Sequence, residues 1–184
     1  MKNIKNNIYI TKLSALCLVG LLFVSTYVIA ADVPIEITGE ILTPPCQINH
    51  GKTIEVSFGD IPLTDISNHQ NWRKISVPVN CEYAKGTAYV KIIGYQMKNK
   101  KNVLLTNVEN FGIALYQGDG DTVELILGDG KSREDGSIGY PVQSGLLGKE
   151  NGTFTFTAIP FKETGKSVSA GKFTASANIG ITYD

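Results

Sequence analysis

The strongest constraint on the fold lies in residues 171–184. Phe173, Ala175, Ala177, Ile179, Ile181 and Tyr183 alternate without a break with Thr174, Ser176, Asn178, Gly180, Thr182 and Asp184. A repeat of two places the first set on one face of a β-strand and the second set on the other. The sequence ends with this strand, where a β-sandwich is expected to add one more strand over the edge. A long apolar edge strand recruits another chain unless something blunts it. The expectation is a protein completed by other proteins.

The N-terminus carries a second such strand. Val33, Ile35, Ile37, Gly39 and Ile41 share one face of residues 32–43, and Pro44-Pro45 ends the run, because proline cannot donate to a ladder. Gly39 suits a position where another backbone or a bulky side chain comes close. Pattern alone also allows this segment to be an ordinary first strand of the sandwich.

Between these two strands, short apolar runs are punctuated by glycine, asparagine and aspartate. Ile54, Val56 and Phe58 alternate, as do Ile75, Val77, Val79 and Cys81, with Pro78 on the opposite face marking an edge or a bulge. Ala88, Val90 and Ile92 come next, then Val103-Leu104-Leu105, the buried-looking run 111–116, and 123–127. Phe154, Phe156, Ala158 and Pro160 form the penultimate strand. No stretch after residue 31 has a helical period. The class is all-β, a sandwich.

Residues 1–30 read as a signal peptide. Lys2, Lys5 and Lys12 precede the short apolar stretch 13–24, and Val28-Ile29-Ala30-Ala31 offers a small-residue cleavage site. An uncleaved anchor is the competing reading, disfavoured by the shortness of the apolar stretch. Cleavage after Ala30 or Ala31 leaves about 153 residues, enough for one sandwich core. Without the three signal lysines the chain has 14 basic residues against 17 acidic ones, a net charge of −3. Nucleic acid and anionic membrane surfaces are poor partners for that balance. Cys17 leaves with the signal, so Cys46 and Cys81 remain in an exported chain and are read as one disulfide. The closed loop of 35 residues corresponds to about 3–4 kcal/mol of stabilisation in the chain-entropy model.

No catalytic constellation is visible. His50 and His69 sit in polar loops with no Asp, Cys or Ser at a triad or metal spacing. The Gly-Asp turns at 118–121 and 128–130 lack a calcium-loop pattern, since Val123 occupies the third ligand slot. Asn151-Gly152-Thr153 matches a glycosylation sequon but is read as a turn before a strand. Trp72 and the eight tyrosines fit a sandwich core or rim as well as a sugar platform. Catalytic, metal and cofactor sites are all expected to be absent.

On these residues the chain resembles the pilus subunits of the bacterial chaperone–usher pathway, and among them the minor tip-adaptor subunits of P-type pili. The resemblance is carried by the extension 32–43 with Gly39, by Pro44-Pro45-Cys46, Phe58-Gly59 and Cys81, and by the runs 110–118 and 154–161. It closes on a glycine fourteenth from the end, Gly171, and a penultimate tyrosine, Tyr183. The resemblance implies an incomplete immunoglobulin-like sandwich lacking its seventh strand. The implied layout is a signal peptide at 1–30, an N-terminal donor-strand extension at 31–45 and a pilin domain at 46–184. A periplasmic pilus chaperone would first lend a strand beside Gly171, Phe173, Ala175, Ala177, Ile179, Ile181 and Tyr183, and hold the terminal carboxylate of Asp184. At the outer-membrane usher, the extension of a neighbouring subunit would replace it by β-augmentation. The extension of this chain, through Val33, Ile35, Ile37, Gly39 and Ile41, would enter the groove of the subunit ahead, the adhesin being one candidate. Such a subunit is exported through the periplasm to the cell-surface fimbrium. A main rod pilin, a sugar-binding adhesin module and a small exported hydrolase are the alternatives.

Overall fold

A computed structural model of the chain describes residues 33–133, 136–146 and 148–184. The signal-peptide reading of 1–30, together with Ala31 and Asp32, lies outside them. The chain divides between Ile41 and Leu42 into two units. In the first, residues 33–41 form neither helix nor strand, and Val33, Ile35, Ile37 and Ile41 are each at least 81% exposed.

The second unit is an antiparallel sandwich. One sheet runs β1 (Gln47–Ile48), β2 (Arg73–Asn80), β9 (Asn151–Lys162), β5 (Phe111–Gln117) and β4 (Val103–Leu105), with β6 (Val123–Glu124) also pairing with β5. The other runs β10 (Ala177–Tyr183), β3 (Ala88–Gly94), β8 (Gly136–Pro141) and β7 (Lys131–Arg133). The period-two pattern fills the space between them. Val77, Val79, Ile113, Leu115, Phe154 and Phe156 from the first sheet meet Val90, Ile92, Ile181 and Tyr183 from the second in one core. Val90 and Ile181, opposite each other in the β3–β10 ladder, have no exposed surface.

A smaller cluster covers the outer face of the first sheet. Met97, Val103, Ala114 and Ile159 pack there with Trp72, Tyr116 and Phe161. β5 is therefore buried on both faces, which accounts for the unbroken apolar run from Phe111 to Leu115. Trp72 belongs to this cluster, with the His69 ring 4.3 Å away.

Four stretches differ from the sequence expectation. Residues 52–61 keep the alternation, with Ile54 and Val56 half-buried and Phe58 buried, but form no ladder. The final strand is regular only from Ala177, and 171–176 are irregular. After Glu124 the expected strand leaves its partner, and Leu125 and Leu127 enter the core. β7 and β8 were not foreseen, although Ile138, Tyr140 and Val142 alternate in that region; its glycines and turn residues hide the pattern. Pro78 lies where β2 has a partner on the β9 side, β1 reaching only Val79 and Asn80.

The disulfide joins Cys46, just before β1, to Cys81, just after β2, across the Gln47–Asn80 pair. Replacing both cysteines by alanine is expected to lower the unfolding free energy by about 3–4 kcal/mol, read as a lower midpoint in urea.

Candidate functional site

β10 stands at the margin of its sheet. Its inner edge pairs with β3 along its whole length, from Ala177↔Gly94 to Tyr183↔Ala88. On the outer side the Ile181 carbonyl accepts the Cys46 N–H at 3.0 Å. Antiparallel pairing turns alternate residues the same way, so Ala177 and Ile179 also direct their backbone groups outward. Among the described residues no backbone partner meets them there. Ile179 is half-buried, and a backbone group shielded from water in this way needs a partner.

A cleft of about 720 Å³ lies beside the start of this last stretch, at Gly171 to Thr174. One bank is the segment from Val56 to Ile66 and the other runs from Val168 to Thr174, with Val108 and Phe111 between them. Neither bank forms a ladder, and each overlaps only the end of an alternating run, at Val56 and Phe58 on one side and at Phe173 on the other. Side chains hold them instead. The Arg73 guanidinium donates to the carbonyls of Ser57 at 3.0 Å, Phe58 at 2.8 Å, and Gln70 and Trp72 at 2.9 Å, and lies 5.7 Å over the Phe58 ring. Opposite, the Asn107 amide donates to the Lys172 carbonyl at 3.1 Å, and its oxygen accepts the Thr174 N–H at 2.7 Å. The Asn107 N–H reaches the Thr174 carbonyl at 3.3 Å. Asn110, at φ 60°, donates its amide to the Ser167 carbonyl at 3.0 Å.

The residues of the last strand therefore have different surroundings. Gly171 and Phe173 line the cleft, and Phe173 packs against Phe58 at 5.8 Å and edge-on against Phe111 at 4.8 Å. Ala175 borders a shallower depression beside Tyr95 and Leu105, Ala177 is exposed, and Ile179 is half-buried. Ile181 and Tyr183 are core residues. The Tyr183 hydroxyl donates to the carbonyl of Leu146 and, at 3.3 Å, to that of Lys149. Burial pushes its pKa above the usual tyrosine value, against the smaller opposing effect of the Lys149 bond. The Asp184 carboxylate is paired with Lys131, whose ammonium is held above its ordinary pKa by that hydrogen bond and by the Tyr89 hydroxyl. Arg73 and Asn107 were not foreseen, since a side chain that reaches a distant carbonyl leaves no periodic trace. Among the described residues no group of three or more His, Cys, Asp or Glu side chains could hold a metal ion.

The comparisons with known proteins point one way. A family profile described as "Fimbrial protein" matches residues 35–184, nearly all of the described chain. The chain belongs to the fimbrial protein family. It is 37% identical over 164 residues to the fimbrial adapter PapF of Escherichia coli, covering 89% of this chain and 95% of that one. The minor fimbrial protein PrsF of Escherichia coli is 36% identical over the same coverage. The solved structure of the P pilus adaptor subunit PapF matches with a TM-score of 0.54 at 30% identity, covering 79% of this chain and 100% of that one. As a fimbrial subunit the chain is a structural protein, and its open β10 edge and cleft are the parts to explain.

Phe173 bears on both the core and the cleft. Phe173→Ala is expected to destabilise the domain by about 2 kcal/mol, from lost apolar burial and two ring contacts. Ala175→Ser, at an exposed site, should stay within about 0.5 kcal/mol. Urea unfolding of the two variants checks the contrast.

Proposed function

We propose that this chain is a minor subunit of a chaperone–usher fimbria that polymerises by donor-strand exchange and joins the adhesin to the tip fibre. The observation that carries the reading is the outer edge of β10. Ala177 and Ile179 turn backbone groups outward with no backbone partner among the described residues, and the cleft beside Phe173 lies at the start of the same last stretch. A single extended segment laid along that edge supplies the missing backbone bonds, and its alternate side chains enter the cleft. Each aliphatic side chain so buried contributes about 1.5–3 kcal/mol.

The chain also carries a segment fit to be such a donor. Val33, Ile35, Ile37, Gly39 and Ile41 form an apolar stripe with no secondary structure of its own. In this reading the pilin domain is 46–184, and 31–45 is the extension that enters the groove of the neighbouring subunit. A periplasmic chaperone lends the first strand, and at the outer-membrane usher a neighbouring subunit replaces it. The protein is exported through the periplasm to the cell-surface fimbrium and catalyses no reaction. The adaptor role, rather than that of the rod, follows the identity with PapF and PrsF across nearly their whole length.

Equilibrium unfolding of the mature chain, alone and with a synthetic peptide covering the N-terminal extension of a neighbouring subunit, tests strand acceptance. Strong stabilisation by the peptide is the expected result, and a stable monomer indifferent to it would overturn the reading. Gly39→Leu is expected to block entry into fibres while chaperone binding stays normal, because the added side chain clashes with the receiving groove. Normal incorporation of that variant, followed by electron microscopy and immunoblotting of sheared fibres, would rule out this register. Deleting the gene should strip adhesin from the fibres and leave rod length unchanged, as expected for an adaptor.

A further inference from the structure

Uninterrupted alternation leaves the register of β10 underdetermined. A one-residue slip against β3 would turn Ile181 and Tyr183 out of the core, so burial forbids it. A two-residue slip keeps every apolar side chain on the same face. Phe173, Ala175, Ala177, Ile179, Ile181 and Tyr183 repeat often enough that this slip preserves the pattern. Something outside the pattern has to select one register.

The structure places such a stop at Asp184. Its N–H donates to the Thr87 carbonyl at 3.0 Å. Gly86, at φ +75°, lies directly against it, and a Cβ there would collide with the Asp184 carbonyl oxygen. The Asp184 carboxylate is paired with Lys131 on β7, at the far side of the same sheet. The Lys131 ammonium in turn lies 5.1 Å over the Tyr89 ring and 3.4 Å from its hydroxyl. Tyr183 adds an inner anchor through Leu146 and Lys149. A two-residue slip carries the Asp184 carboxylate about 7 Å along the strand, out of reach of Lys131.

We propose that Lys131, with the side-chain-free seat at Gly86, is a positioning residue that sets the register of β10 and so the register in which a donor strand is accepted. The inference rests on the strand-acceptance reading above. A donor pairs with the outward groups of Ala177 and Ile179, so its side chains meet the cleft correctly only if those groups stand at the right height. An exposed pair such as Lys131–Asp184 adds little to overall stability. Its effect adds to side-chain volume and the Tyr183 hydroxyl bonds in discriminating between two registers that turn the same face inward.

The test separates register from acceptance. Asn178 and Ile93 face each other in the β10–β3 ladder and both are exposed. Asn178→Cys with Ile93→Cys forms a cross-strand disulfide in the observed register alone, and its rate of formation under oxidised glutathione reports that register. Lys131→Glu is expected to slow this cross-link and weaken binding of a peptide covering a neighbouring subunit's N-terminal extension, each about threefold to fivefold, the scale of an exposed ion pair. The exchange Lys131→Glu with Asp184→Lys should restore both to within about twofold. If Lys131→Glu fails to fold, Lys131→Met carries the same comparison while keeping the alkyl stem over Tyr89. An unchanged cross-linking rate in the single variants, or an exchange variant no better than Lys131→Glu, overturns the proposal. Failure of the peptide to bind even the unaltered protein removes strand acceptance instead, and the cross-linking rates still decide whether Lys131 sets the register.

Discussion

The structure depends on one unmet requirement, the backbone hydrogen bonds on the outer side of β10. Among the described residues the other strands at sheet margins, β1, β4, β6 and β7, are only two or three residues long. β10 turns the backbone groups of Ala177 and Ile179 outward instead, and the cleft lies farther back, at Gly171 to Thr174. The segments 56–66 and 168–174 face the cleft, and among the described residues neither joins a ladder. Peptide groups left in this state favour any chain able to supply an extended segment.

A fold with a strand's worth of open space needs other means to keep its walls in place. Arg73 does this on one bank by gathering the carbonyls of Ser57, Phe58, Gln70 and Trp72. Asn107 does it on the other, its side-chain amide imitating one rung of a ladder with Lys172 and Thr174. Phe173 then joins Phe58 and Phe111 across the gap. At the opposite end of the last strand, Ile181 and Tyr183 are sealed in the core, and the Cys46–Cys81 bond lies beside the Cys46 N–H that reaches Ile181. The last strand is thus anchored where it ends and open where it begins. In the reading proposed above, a partner strand is added or replaced there without dismantling the core.

The two ends of the chain were legible because period two is a local signal. Val33 to Ile41 and Phe173 to Tyr183 show their faces in the sequence, and so do the core strands β2, β3, β5 and β9. The expected strand at 52–58 has the right alternation of burial, and what it lacks is a neighbour. Its irregularity and the late start of β10 have the same cause, since a strand is defined by its ladder and, among the described residues, neither segment has one. β7 and β8 were hidden by glycines that permit tight turns and dilute the apolar pattern. Arg73 and Asn107 could not be seen at all, because their bonds join residues far apart in sequence or carbonyls of no particular residue type.

By itself the sequence determined the all-β class, the pairing of Cys46 with Cys81, and the presence of two apolar alternating segments at its extremities. These rest on residue type and spacing, which need no long-range geometry. Only the tertiary structure decided which edge is left open, how the banks are held, and that Asp184 is seated between Gly86, Thr87 and Lys131. Those outcomes depend on which strands become neighbours. Alternation repeats every two residues, so it specifies a face of the sheet but leaves open both the neighbour and the register.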